Sequence, residues 1–379
     1  MSVALPPDPL AGYEDWPGWA RSTPPRTTGD ARQDALAAVL GVRALPAGPP
    51  AVEVLATRTT PDGLRLAELV WSTGVGPRTH GWLVRPDDDA ARPGVLALHC
   101  HGGVKSVGGA QLVELGDDAP AGAVRLQRDL YGGRGPAHAL ARAGCAVLAP
   151  DAFCWGSRRF PLTERSARLA GGVAALEARW AAEGHDPDDD QRYDAVSGLH
   201  EDTVAKAAGV LGTSLAGMVA RDDLVALDVL AALPGVDAGR LGAFGFSGGG
   251  GRSVLLAALD ERVRAHVVTG MMATFASLVP RYLDTHSWLL MSPGLWGLSE
   301  WPDLLPPLPG RSLLVQYGRQ DALFPLDGQR AADERLAAAW AGTGRYTGAW
   351  WDRPHVFDAP MQDEAFAFLA GALGAGTPA

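Results

Sequence analysis

The stretch from Arg240 to Gly251 constrains this chain most: Arg-Leu-Gly-Ala-Phe-Gly-Phe-Ser-Gly-Gly-Gly-Gly. An apolar run ends in Gly-x-Ser-x-Gly with Ser247 at its centre, and a helix-like stretch, Arg252 to Leu259, follows at once. Strand, sharp turn and helix together make the setting of a nucleophile elbow. The turn strains the serine backbone, and small flanking residues let neighbouring backbone come close. It also lifts the hydroxyl out of the sheet and sets the next N–H at a helix start, facing a developing oxyanion. In a chain with 48 glycines the motif also arises by chance. The remaining sequence must therefore supply an acid, a histidine and a second oxyanion donor in the right order. The four glycines after Ser247 leave the helix start without side-chain bulk, so space for substrate is expected above the nucleophile, and Gly249→Leu is expected to lose large substrates selectively.

Length and charge narrow the alternatives. A chain of 379 residues, 47% hydrophobic and 20% charged, can bury a sizeable core. Net charge is −10, and Lys105 and Lys206 are its lysines; no basic cluster tracks a phosphate backbone, which argues against a nucleic-acid partner. The first residues, Met1 to Asp8, have no basic segment followed by an apolar one, and no run of about 18 apolar residues occurs, so neither a signal peptide nor a membrane span is expected. Cys100, Cys145 and Cys154 do not form a disulfide framework. A reduced, cytoplasmic protein is the expectation.

Residues 1–45 read as an N-terminal extension, with helical spacing from Asp30 to Leu40. Val52–Thr59, Leu64–Ser72 and Thr79–Arg85 read as an antiparallel meander around a Pro61-Asp62-Gly63 turn. The pattern then changes to continuous apolar runs, at Gly94–His99, Cys145–Ala149, Leu241–Phe246, Ala265–Thr269, Ser312–Tyr317 and Tyr346–Trp351, as expected of strands buried on both faces. Helical stretches at 136–142, 214–233, 328–340 and 362–373 alternate with them, which predicts a mostly parallel sheet covered on both sides over residues 46–379. Two stretches break the alternation, 152–213 and 272–310, and long irregular segments of this kind are expected to be lids or pocket walls. The first includes a helical piece, 167–182, and an acidic run, Asp186–Asp190, read as a solvated turn.

The required partners follow Ser247 in order. Asp321 lies just past the apolar run ending at Tyr317, and His355 just past the run ending at Trp351. Open α/β sheets build sites at the carboxyl ends of their strands, and serine, acid, histidine is the chain order that accompanies such an elbow. His99-Cys100-His101-Gly102-Gly103 follows the first buried run, where a His-Gly-Gly-type loop is needed; Gly103 and Gly248 are assigned as oxyanion donors, with His101 organising the loop. His99 and His101 lack a third ligand at plausible spacing, and alternate residues face opposite sides, so no metal is expected. Cys100 reads as a buried small residue. Trp155, Trp288, Trp296 and Trp301 fall in the irregular stretches; an aromatic wall touching substrate is expected from them, with His101 as a further substrate contact, and filling of the core is the alternative. Arg158 and Arg159 are expected to pair with acids. His200, His266 and His286 carry no assignment.

Together these residues resemble the α/β-hydrolase superfamily, in the branch of dienelactone-hydrolase-like, acetyl xylan esterase-like and prolyl-oligopeptidase-like enzymes. The resemblance spans roughly residues 80–372. It rests on Leu98-His99-Cys100-His101-Gly102-Gly103, Ala149 to Arg158, Val236 to Gly249, Gly318-Arg319-Gln320-Asp321 and Pro354-His355-Val356-Phe357. Cys154 departs from it where relatives often carry glycine, and the four-glycine run departs where they often carry a bulkier residue. The resemblance implies an α/β-hydrolase fold with an inserted cap. It also implies a Ser247-His355-Asp321 triad cleaving a small-molecule ester or lactone through an acyl-enzyme, without a cofactor. A peptidase or amidase, an acyl-transferring cyclase and a non-catalytic binder on the same fold are the alternatives, and self-association is left open.

Overall fold

The structure, a computed structural model, describes residues 7–375; Met1–Pro6, on which part of the leader reading rests, lie outside them. Nine strands form one sheet: β1 (Glu53–Thr59), β2 (Leu64–Trp71), β3 (Thr79–Pro86), β4 (Arg92–Leu98), β5 (Ala146–Pro150), β6 (Val236–Phe246), β7 (Val263–Thr269), β8 (Ser312–Gly318) and β9 (Tyr346–Trp351). Their spatial order is β1-β2-β3-β5-β4-β6-β7-β8-β9. The first three run antiparallel, as does β3 on β5, and every pair from β5 to β9 is parallel. The meander thus starts the sheet, and the continuous apolar runs from β4 to β8 are its parallel centre, whereas the last run, Tyr346–Trp351, is the edge strand β9 and is only partly buried, contrary to the expectation of cover on both faces.

Alternation within those runs divides the core between two faces. Val95 and Ala97 of β4 join one cluster, with Phe244, Leu140 and, from the last helix (Ala359–Leu373), Phe366 and Leu369. Leu96 and Leu98 point the other way, to Leu224, Leu227 and Leu255 on the helices Leu215–Ala232 and Gly248–Leu259. Side chains of one strand alternate sides, so a run apolar at every position is the mark of a sheet covered twice. The β1 edge is covered on neither side, and all seven of its residues are exposed.

The N-terminal segment is part of this packing. Tyr13 and Trp16 are fully buried against Phe153, and the Tyr13 hydroxyl donates to the Arg158 carbonyl at 2.5 Å. The helix Ala31–Leu40 buries Leu36, Ala37 and Leu40 in the same cluster. Both irregular stretches also contain ordered elements. The first holds the helices Ala167–Glu183 and Asp189–Val210. The acidic run is the start of the second, not a turn: Asp188 caps it by accepting from the Gln191 N–H at 2.7 Å, and Asp189 and Asp190 occupy its first turn, where the helix dipole favours negative charge. Among the described residues no single helix is long and apolar enough to cross a membrane.

Candidate active site

At the end of β6 the backbone turns so tightly that Ser247 sits at φ 55°, ψ −126°, a conformation costly for a residue with a side chain. The flanking glycines make this turn possible by removing atoms. A Cβ on Gly245 would lie 2.1 Å from the Gly249 carbonyl carbon, and one on Gly249 would lie 1.9 Å from the Leu98 carbonyl oxygen. Gly250 and Gly251 meet Met271 in the same way, each at 2.9 Å. The expectation that the glycine run opens the space above the nucleophile is therefore overturned for Gly249, Gly250 and Gly251. The glycine run is where the helix lies against the backbone of β4 and the segment after β7.

The turns after β8 and β9 bring two further groups to the serine. His355 Nε2 is 2.8 Å from Ser247 Oγ, and His355 Nδ1 is 2.6 Å from Asp321 Oδ2. The carboxylate accepts the Nδ1–H, which leaves Nε2 as the acceptor facing the serine hydroxyl. Asp321 is itself held: its other oxygen accepts the Leu323 N–H at 2.9 Å, and its side chain is 2% exposed. The imidazole lies 4.6 Å, centroid to centroid, from the Phe246 ring.

The loop after β4 departs from the assigned donor pattern. The Gly103 N–H donates to His101 Nδ1 at 3.1 Å, so it is engaged within the loop. The peptide group facing the elbow is that of His101: a Cβ on Gly248 would lie 2.9 Å from the His101 backbone nitrogen. Among the described residues neither the His101 nor the Gly248 N–H has a protein acceptor. The reason for this two-residue difference is the turn itself, since Gly102 and Gly103 both adopt positive φ and curl the chain back onto the His101 ring. His101 does organise the loop, through Nδ1.

Ser247, His355 and His101 line a cavity of about 430 Å³. Beside the two glycine turns and Phe246, its large side chains are aliphatic, from Leu130, Met271, Leu289, Leu290 and Leu323, with Thr285, His286 and Ser287 forming a polar edge. None of the expected indoles lines it. Trp155 is buried behind the loop, its ring edge-on to His101 at 5.1 Å. Trp288 points outward and donates to Asp202 at 2.9 Å, and Trp296 is 47% exposed and donates to Glu300. Trp301 is buried and donates to the Met271 carbonyl. Amphipathic indoles thus settle where their N–H finds an acceptor, and the wall falls to leucines that no motif marked. Burial holds His286 below the usual histidine range, and its Nε2 donates to the Leu323 carbonyl at 3.0 Å.

Around the loop, Arg158 and Lys105 each pair with an acid. Arg158 is fully buried and bonds Asp222 through Nε at 3.1 Å, as the pairing reading expects. Arg159 does not meet that expectation and donates to the Ser106 carbonyl. Lys105 and Glu201, neither marked by any motif, form a buried salt bridge beside His101. His99 turns Nδ1 to the Cys100 carbonyl while His101 turns Nε2 to Glu201, so the two rings do not converge, and among the described residues no group of three metal-ligating side chains is assembled.

The fold matches solved structures along nearly its whole length. A glucuronoyl esterase from Solibacter usitatus superposes with a TM-score of 0.56, covering 98% of each chain at 14% identity. The chain has the α/β-hydrolase fold. Acetyl xylan esterase 1 from Thermoanaerobacterium sp. JW/SL YS485 is similar to the same extent, with a TM-score of 0.53, 17% identity and coverage of 94% of this chain and 98% of that one. Among curated proteins, "Putative hydrolase YtaP" of Bacillus subtilis (strain 168) is 27% identical over 256 residues, 66% of this chain and 68% of its own length. No family model matches the chain.

Proposed function

We propose that this protein hydrolyses a carboxylic ester through an acyl-enzyme on Ser247. One observation carries the reading: a single imidazole bridges Ser247 Oγ and a buried carboxylate, at 2.8 and 2.6 Å, at the wall of a largely aliphatic cavity. The esterase names of the structural neighbours support it. Ser247 Oγ attacks the ester carbon while His355 Nε2 takes its proton, and Asp321 stabilises the imidazolium through Nδ1–H. The carbonyl π pair moves to oxygen, where the His101 and Gly248 N–H groups receive it. Collapse of the tetrahedral adduct expels the alcohol, which takes the proton from His355. Water, deprotonated by His355, then attacks the acyl-serine by the same route and releases the acid. The segments 152–213 and 272–310 support and wall the site.

The aliphatic walls suit an acyl or alkyl group of small to medium size, and the polar edge at Thr285–Ser287 suits the more hydrated part of the ester. Ser247→Ala is expected to abolish turnover of a short p-nitrophenyl ester while leaving the thermal transition intact; retained turnover contradicts the proposal. Aminoacyl and proline-containing amides assayed beside the esters separate esterase from peptidase action.

A further inference from the structure

The helix Asp189–Val210 carries two acids seven residues apart, Asp194 and Glu201, hence on one face. That face is turned to the loop after β4. Asp194 accepts the backbone N–H groups of Lys105 and Ser106 at 2.8 and 2.7 Å. Glu201 Oε2 accepts from His101 Nε2 at 3.1 Å and forms the salt bridge to Lys105, while Oε1 accepts the Trp288 backbone N–H at 3.3 Å. One carboxylate thereby ties together the loop, the inserted helix and the segment bearing the cavity residues Leu289 and Leu290.

We propose that Glu201 is a positioning residue for the reaction: by accepting from His101 Nε2 it fixes the tautomer of that ring, and with it the orientation of the His101 peptide N–H at the oxyanion site. This rests on the ester-hydrolase reading above. The Gly103 N–H can donate to His101 only if Nδ1 carries no hydrogen, and then Nε2 carries it and needs an acceptor. Glu201 supplies that acceptor. Lys105, 4% exposed and 5.0 Å from the centre of the Trp155 ring, balances its charge, so the imidazole meets an acceptor within a neutral pair. Burial pushes the Glu201 carboxyl up, but the His101 hydrogen bond and the Lys105 charge together hold it well below the usual glutamate range. Without the acceptor, the ring is free to move its hydrogen to Nδ1, which sets N–H against the Gly103 N–H and rotates the peptide facing Gly248.

Two double variants isolate this role from bulk stability. Lys105→Met with Glu201→Gln removes both charges and keeps an acceptor for His101; Lys105→Met with Glu201→Leu removes both charges and the acceptor. Each also alters the Trp288 contact. With a p-nitrophenyl ester, the leucine form is expected to show kcat lower than the glutamine form by about 30-fold or more, since full loss of an oxyanion donor costs 100- to 1000-fold. KM is expected to stay within about threefold and the thermal transitions to match, because substrate binding and the charge balance are the same in both. Equal kcat in the two forms overturns the inference alone. Absence of Ser247-dependent turnover in the wild-type protein overturns the ester-hydrolase reading, and this inference with it.

Discussion

The elbow and the cavity wall are separated by a few ångströms and are specified in opposite ways. Ser247, Gly245 and Gly249 belong to one continuous stretch, and their conformation follows from local sterics: a strand, a strained serine and missing Cβ atoms. Leu289 and Leu290 of the wall come from a stretch with little regular structure, and the loop beneath it is held by Glu201 and Asp194, each about 90 residues or more away along the chain. The elbow can thus be read from a dozen residues, whereas the cavity wall depends on how distant segments meet.

That contrast is strongest at Gly249. If the glycine run belongs to the elbow's packing, Gly249→Ala drives a methyl group into the Leu98 carbonyl and destabilises the whole fold, by roughly 3 kcal/mol or more. Thermal unfolding measures it. A folded variant that loses only bulky substrates would return the run to the wall.

Leu289→Ala should instead leave the elbow untouched and enlarge the cavity. A methylene in an apolar pocket discriminates by roughly 1–3 kcal/mol, so kcat/KM for hexanoate against acetate esters is expected to shift about tenfold. An unchanged ratio removes Leu289 from the wall. The smallest effect belongs to Trp296, whose half-exposed indole bonds Glu300 outside the cavity. Trp296→Ala is expected to change kcat/KM by less than about threefold and stability by about 0.5 kcal/mol or less. A larger loss with every ester would restore the aromatic wall.

Much of the sheet was legible because its centre is buried twice. Runs such as Leu313–Tyr317 have no polar face to confuse their period, and their ends locate Asp321 and His355. The helix Asp189–Val210 is illegible for the converse reason. It buries Asp194, Ser197, His200 and Glu201 among its apolar residues, so its inward face does not read as apolar. The seven-residue spacing of Asp194 and Glu201 was the available signal. Gly103 is harder to read because a glycine there serves a reversal of the chain, with positive φ at Gly102 and Gly103, and its N–H donates back to His101 Nδ1. The tryptophans lie off the cavity because size and apolarity do not place an indole whose N–H needs an acceptor.

The central claim is that Ser247 is the group that bonds covalently to substrate. Reacting the folded protein with a fluorophosphonate and mapping the adduct by peptide mass spectrometry tests it most directly. The account predicts one adduct, on the peptide containing Ser247, which disappears in His355→Ala at matched reaction time. An unmodified Ser247, or labelling that proceeds equally without His355, contradicts it.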